Sequence, residues 1–163
     1  MTSLLGGKQV PKNHLRVSAY GALDELGAWV GLCRLDADEA LKEELAIVLR
    51  LIFHCGYDMS LPPNETSFKI TKEDVAWLEQ KIDGYGNRLP KTFRFALGTD
   101  SLLGAKLNVA RTMCRKAERD MVALMQEEPI HEEALIFVNR LSDYFFALFQ
   151  LMGKSLFYGG QSF

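Results

Sequence analysis

The sequence predicts an all-α protein, a five-helix antiparallel bundle of the ferritin-like up-and-down kind. Apolar residues recur every three to four positions through most of the chain, which is the period of a helix face. The connections between these periodic segments are brief. The longest alternating pattern, Ser67–Ile70, is too short to build a sheet.

The first two helices follow from their apolar stripes. The first is predicted from Arg16 to Arg34, and the second opens with Asp36 or Asp38 as its N-cap. The run Leu61-Pro62-Pro63-Asn64 ends the second helix, because proline cannot continue it. The stripe of this second helix consists of Leu41, Leu45, Val48, Leu49, Ile52 and Met59.

The third helix is shorter and is marked by its caps. The Thr71 hydroxyl can cap its start while Asp74 occupies the third helical position, and Gly84 stops it. A loop then leads to the fourth helix. The residues that indicate this loop are Gly86, Pro90 and Gly98.

The last two helices are long. The fourth is predicted from about Ser101 to Glu128, and Pro129 is well placed as the first residue of a fifth that runs to about Phe157. The fifth is apolar over more than half its circumference, so it is either central to the bundle or buried against another subunit. Its apolar residues are Leu135, Phe137, Val138, Leu141, Tyr144, Phe145, Phe146, Leu148, Phe149 and Met152.

Composition limits the class of protein. The 163 residues suit one domain, residues 1–163, and a net charge of -2 offers no basic field for nucleic acid. No uninterrupted apolar run approaches the roughly 20 residues that span a bilayer, so we expect no membrane partner. An odd number of widely spaced cysteines is typical of reduced thiols, which predicts a cytoplasmic location. These are Cys33, Cys55 and Cys114.

Metal and phosphate-loop motifs are absent or weak. The one E-x-x-H pair, Glu128 to His131, is interrupted by Pro129, which argues against a di-iron centre, and no Cys/His cluster suits zinc. Gly6-Gly7-Lys8 has neither the spacing nor the flanking strand and helix of a P-loop. We therefore assign no metal ligand on the protein.

An arginine stripe on the fourth helix is the most informative feature. Arg111, Arg115 and Arg119 are spaced at i, i+4 and i+8, with Lys116 and Glu118 among them. Guanidinium groups on one rigid face suit a polyphosphate, because each presents a fork of charged donors. The alternative is a solvated face with i, i+4 charge pairs. Polar residues of the fifth helix favour a shared groove; they are Asn139, Arg140 and Asp143.

Two acids stand among apolar residues in the first helix. Asp24 and Glu25 are costly there unless they are paired. Either could bond an arginine of the fourth helix, within the chain or across a subunit boundary. The alternative is an ordinary exposed acidic pair.

Three stretches carry a family resemblance. They begin at Arg16 (R-V-S-A-Y-G-A-L-D-E-L), Val109 (V-A-R-T-M-C-R-K-A-E-R) and Phe137 (F-V-N-R-L-S-D-Y). They resemble the signatures of the PduO-type ATP:cob(I)alamin adenosyltransferases, in the same order along nearly the whole chain. The resemblance implies a homotrimeric five-helix bundle with ATP and corrinoid bound where subunits meet. It also implies the reaction, in which reduced cobalt attacks the 5′-carbon of ATP, forms adenosylcobalamin and releases triphosphate.

The resemblance also implies roles for individual residues. Arg111 would contact ATP and pair with Asp24 of a neighbouring subunit. Asn139 would hydrogen-bond the nucleotide, Lys12 would meet phosphate, and Phe95 would lie against the lower face of the corrin and keep the cobalt four-coordinate. The residues that would line the ATP site are Arg115, Lys116, Glu118 and Arg119. Mg²⁺ would accompany ATP, and the expected protein partners are a reductase or a cobalamin-dependent enzyme.

The chain departs from the family pattern in places. The family's T-K-x-G-D-x-G phosphate segment would precede Met1, so we expect a shortened N-terminal ATP loop. Asp100 stands where the family has a glycine-rich turn, either near the phosphates or as a helix cap, and Gly27 replaces an asparagine. Two other functions therefore remain, a protein that binds or delivers corrinoid or ATP without transfer, and a purely structural bundle.

Overall fold

A computed structural model describes residues 1–62, 65, 69–89, 95–152 and 155–158, with the backbone alone for residues 95–97 and 155–158. Five α-helices make up most of this part of the chain, as the sequence predicts. The helices are α1 (Leu15–Asp36), α2 (Glu39–Ser60), α3 (Lys72–Gly86), α4 (Leu102–Glu127) and α5 (Glu132–Met152). Four short strands accompany them, namely β1 (Thr2–Ser3), β2 (Gln9–Val10), β3 (Phe95–Thr99) and β4 (Ser155–Tyr158).

Local caps set the helix starts. Asp38 caps α2 by accepting a hydrogen bond from the Leu41 amide. Thr71 caps α3 and forms a complete capping box with Asp74. Ser101 caps α4, so Asp100 is not the cap and lies exposed one residue earlier. These three helices begin where the sequence predicts.

The core lies between α1, α4 and α5, with α2 against α1 and α3 against α5. The apolar face of α5 is buried in this core, and among its residues Phe137, Leu141 and Tyr144 are fully buried. Of the two positions that the sequence allows for α5, the structure shows the central one. By length and composition α5 is also the one helix in the described chain that could cross a membrane, but half of its most apolar window is buried inside the protein.

A buried polar cluster attaches α3 to the bundle. Glu44 of α2 accepts hydrogen bonds from the hydroxyls of Tyr85, at 2.8 Å, and Tyr144, at 2.7 Å. It also pairs with Lys81 at 2.6 Å. Burial and the nearby carboxylate raise the pKa of both phenols, so they remain protonated donors. The cluster joins α2, α3 and α5 through one carboxylate.

The prediction for the end of the chain is partly wrong. The fifth helix begins at Glu132 rather than Pro129, and Glu128, which precedes the proline, is extended. It ends at Met152, and Ser155–Tyr158 forms β4 instead of continuing to Phe157. Strand β4 pairs antiparallel with β3, with a register shift between Ala96 and Gly98. Part of the predicted loop around Gly98 is therefore a strand.

The N-terminal hairpin sits on the end of α2. Strands β1 and β2 pair antiparallel, and Gly6 and Gly7 form the turn between them with φ of 91° and 87°. This backbone region favours glycine, so the glycine pair serves a turn and not a phosphate loop. The Leu5 amide donates to the Ser60 carbonyl at 2.9 Å, which ties the hairpin to the last turn of α2.

Candidate functional site

The arginine face of α4 borders a cavity. Arg115, Glu118 and Arg119, together with Val122, line a space of about 270 Å³. Arg115 and Arg119 are exposed, and Glu118 is half-buried. Two exposed guanidinium groups on successive turns of one helix can meet the same anion, because residues four apart lie on one face. The structure therefore gathers these three predicted site residues at one place.

Asn139 joins α5 to this face. Its side-chain amide donates to Glu118 Oε1 at 2.8 Å, across the α4–α5 contact. The hydrogen bond leaves the Asn139 carbonyl oxygen available and fixes the orientation of the amide. The neighbouring Arg140 pairs with Asp143 at 3.3 Å on the exposed side of α5. Asn139 therefore contacts Glu118 beside the cavity, while the residues that line the cavity all belong to α4.

Arg111 lies one turn before Arg115 and is more enclosed. Its Nε donates to Asn108 Oδ1 at 2.9 Å, and its guanidinium carbon lies 5.9 Å from the centre of the Phe146 ring. Partial burial, and then the charge of Arg115, lower the pKa of Arg111. An anion bound beside these two guanidinium groups would therefore favour the charged form of Arg111.

Lys116 is directed away from the arginine cavity. Its Nζ lies 3.4 Å from Glu25 of α1 and 3.8 Å from Asp120. Glu25 therefore has an in-chain partner on α4, but that partner is a lysine and not an arginine. Because both side chains are about half exposed, the pair contributes little to stability.

Asp24 lies on a different side of α1. It is exposed and lines a groove of about 580 Å³ between α1 and α2, next to Tyr20, Phe53 and Tyr57. The Phe53 side chain is 70% exposed there, although it is large and apolar. Within the described residues Asp24 has no ion pair, and Arg111 faces α5 instead. The structure of one chain does not bring Asp24 and Arg111 together.

The two remaining predicted residues lie elsewhere. Lys12 is exposed in the turn between β2 and α1. Phe95 is the first residue of β3, but its side chain lies outside the described residues, so its position against a corrin stays a prediction. In the ranges that are described, no group of three His, Cys, Asp or Glu residues could hold a metal ion.

The sequence does not indicate that two apolar side chains lie beside the predicted site residues Arg111 and Asp24. Phe146, which lies beside Arg111, is predicted only as part of the apolar face of α5. Phe53 falls next to the apolar stripe of α2, and its exposure is visible only in the structure. The sequence pattern places Phe146 on an apolar face and leaves Phe53 outside the stripe of α2, and helical period alone does not say which neighbours cover either side chain.

Comparison with known proteins identifies the family. Residues 1–152 match the family model for cobalamin adenosyltransferase. A corrinoid adenosyltransferase of Bacillus subtilis is 41% identical over 90% of this chain and 78% of that protein. The corrinoid adenosyltransferase PduO of Salmonella typhimurium is 35% identical over 90% of this chain and 45% of its own length.

The fold agrees with a solved structure. A variant of a PduO-type ATP:corrinoid adenosyltransferase from Lactobacillus reuteri, complexed with cobalamin and ATP, superposes with a TM-score of 0.89. It is 37% identical and covers 98% of this chain and 94% of its own. Sequence and fold therefore agree, and the chain belongs to the cobalamin adenosyltransferase family.

Proposed function

We propose that this protein transfers the 5′-deoxyadenosyl group of ATP to cob(I)alamin, which yields adenosylcobalamin and triphosphate. The observation that supports this most strongly is the arginine-lined cavity on α4, bounded by Arg115, Glu118 and Arg119, in a chain of this family. The Lactobacillus reuteri relative with the same fold binds both cobalamin and ATP.

The bonds that form and break in this reaction lie within the two substrates, so the protein needs no nucleophile of its own. The cobalt of the substrate supplies the electron pair for the new bond to the 5′-carbon, while the carbon–oxygen bond to the triphosphate breaks and that oxygen takes the departing pair. The protein must therefore hold the two substrates in line and stabilise a polyanionic leaving group. Arginines stabilise such a leaving group well, because a guanidinium stays charged and can donate to two phosphate oxygens at once.

Each site residue then has a task. Arg115 and Arg119 bind the triphosphate in the cavity, and Arg111 contacts it from the more enclosed end. Glu118 orients Asn139 through the 2.8 Å hydrogen bond, so that the free amide oxygen meets the nucleotide. Lys116 is engaged with Glu25 outside the cavity, so it acts on ATP only through its charge at a distance, and Lys12 meets phosphate from the N-terminal side.

Mg²⁺ would share the neutralisation of the triphosphate. The carboxylate in the cavity is Glu118, which is already engaged by Asn139, so we place the ion on the phosphate oxygens and assign it no ligand from this chain. Phe95 would cover the lower corrin face and exclude a fifth ligand from cobalt.

We also propose that the working form is a homotrimer whose active sites lie between subunits. Asp24 lacks an ion-pair partner among the described residues of its own chain, and a large apolar groove lies beside it. A neighbouring subunit that filled this groove would bury Phe53 and bring its own Arg111 to Asp24. Three buried free cysteines are consistent with a cytoplasmic location, where a reductase and a cobalamin-dependent enzyme would be partners.

A spectroscopic assay tests the proposed function. The protein is mixed with chemically reduced cobalamin and Mg-ATP, and the change to the adenosylcobalamin spectrum is followed. We expect turnover, and we expect Arg115→Ala to abolish it while Arg88→Ala, which removes an exposed arginine near α3, leaves it unchanged. Binding of both ligands without turnover would refute transfer and favour a corrinoid carrier. Failure to bind either ligand would favour a structural bundle.

A further inference from the structure

A buried arginine joins three helix ends near the N-terminal hairpin. Arg16 lies in the first turn of α1, and its side chain is 3% exposed. Its Nε lies 2.6 Å from Glu128 Oε1 at the C-cap of α4, as an ion pair without the alignment of a hydrogen bond. Its Nη1 donates to the Met59 carbonyl in the last turn of α2 at 3.5 Å. The guanidinium therefore fixes the start of α1 against the ends of α2 and α4.

The turn that carries Lys12 is attached directly to this arginine. The His14 amide donates to the Pro11 carbonyl at 3.0 Å, which closes the turn around Lys12. The His14 ring then caps α1, because its Nδ1 accepts from the Arg16 amide at 3.2 Å. On the other side, Val10 is buried at 3% exposure. Lys12 is thus an exposed lysine on a short turn between two buried anchors.

A buried ion pair is an uncommon way to gain stability. Removing Arg16 and Glu128 from water costs free energy, and an apolar pair of the same volume often stabilises a fold as well. A buried ion pair can instead specify the position of the backbone segments that it joins, because each charge left without its partner in the interior would be costly. The pair is therefore better suited to positioning the adjoining Pro11–His14 turn than to stabilising the fold.

We propose that Arg16 is a positioning residue for ATP, since its ion pair with Glu128 holds the Pro11–His14 turn where Lys12 meets the triphosphate. This inference rests on the proposed ATP site. Loss of the Glu128 charge would leave the Arg16 guanidinium buried without compensation, and the start of α1 would shift toward water. The Lys12 side chain would move with it.

The test compares two buried glutamates. Glu128→Gln removes the partner of Arg16, whereas Glu44→Gln removes the partner of Lys81 in the cluster that attaches α3. The two carboxylates are similarly enclosed, with side chains 14% and 10% exposed. Glu44 lies sixteen residues before Ser60 on α2, roughly 24 Å from the hairpin at about 1.5 Å per residue. The readout is the Kd of Mg-ATP by calorimetry, in the parent protein and in Lys12→Ala.

The expected result is a coupling between Glu128 and Lys12. Glu128→Gln and Lys12→Ala should each weaken Mg-ATP binding about tenfold, the effect of one lost charged hydrogen bond, and the double variant no more than either. Glu44→Gln should leave Kd unchanged. Arg16→Lys, which keeps the charge, should leave the Kd of Mg-ATP within about threefold of the parent value. In the Lys12→Ala background, Arg16→Lys should not change the Kd.

Other results would overturn the inference. The first is an unchanged Kd in Glu128→Gln. The second is that Glu128→Gln weakens Mg-ATP binding as much in Lys12→Ala as in the parent protein. The third is that Glu44→Gln weakens binding as much as Glu128→Gln does. If Glu128→Gln fails to fold, as judged by circular dichroism, Glu128→Asp takes its place: it keeps the charge but shortens the side chain, and it should weaken binding in the parent protein and not in Lys12→Ala. Because binding is measured without turnover, a protein that binds ATP but transfers nothing would refute the proposed function and leave this inference standing.

Discussion

The position of Asp24 leads to a prediction about mixed oligomers. Asp24 faces the α1–α2 groove and Arg111 faces α5, so one chain cannot pair them. If neighbouring subunits supply them to one site, Asp24→Asn and Arg111→Met should each inactivate the homo-oligomer. Co-expression of the two variants should restore activity, because some sites receive the intact residue from each chain.

The magnitude can be worked out from the arrangement. A site needs Asp24 from one subunit and Arg111 from the next, and random mixing at equal amounts supplies each with a chance of one half. About one quarter of the sites should therefore be intact, which predicts about 25% of the parent activity per subunit in a closed ring with one type of interface. Mixing the purified variants without subunit exchange should restore nothing.

The control uses two changes on the same helix. Arg111→Met and Arg115→Ala both lie on α4, so no co-expressed mixture of these two variants contains an intact arginine face. Activity is measured by the appearance of adenosylcobalamin, with subunit ratios checked by mass spectrometry. Restoration in the control pair, or none in the Asp24 and Arg111 pair, would refute a site shared between subunits.

Three further predictions concern the fold. Glu44→Ala should lower the unfolding free energy in urea by about 2–4 kcal/mol, since the hydroxyls of Tyr85 and Tyr144 lose their acceptor, and a loss below about 1 kcal/mol would contradict the cluster. Thr71→Ala should cost about 1 kcal/mol through the capping box, and an unchanged melting temperature would contradict this. Burial raises the pKa of the Cys33 thiol to about 12, so iodoacetamide should alkylate it at pH 8 only after denaturation; rapid labelling of the folded protein would be inconsistent.

The helices could be predicted because their signals are local. The side chains of Asp38, Thr71 and Ser101 each accept a hydrogen bond from the backbone amide three residues later. The sequence alone therefore identifies the capping residue and the amide that it caps. The β3–β4 pair could not be predicted in this way. Its strands are separated by all of α4 and α5, and pairing between such distant segments depends on the packed bundle.

The sequence predicts which residues form the candidate site but not where their side chains are directed. The spacing of Arg111 and Arg115 indicates one helix face, yet it does not say that the former is enclosed by Phe146. Lys116 directly follows Arg115 in sequence, yet its side chain is directed to Glu25 of α1. The burial of Arg16 could not be predicted for a related reason, because a charged residue at a helix start ordinarily indicates an exposed position.

Adjacent residues of α1 should respond differently to dilution. Glu25 meets Lys116 of its own chain, whereas Asp24 lies in the open groove between α1 and α2. An in-chain contact is independent of protein concentration, but a contact with a second chain obeys mass action. A substitution at Asp24 should therefore weaken subunit assembly more in dilute solution than in concentrated solution, while one at Glu25 should have the same effect on assembly in both. Sedimentation of the two variants at low and high protein concentration thus distinguishes the acid that contacts a second chain from the acid that does not.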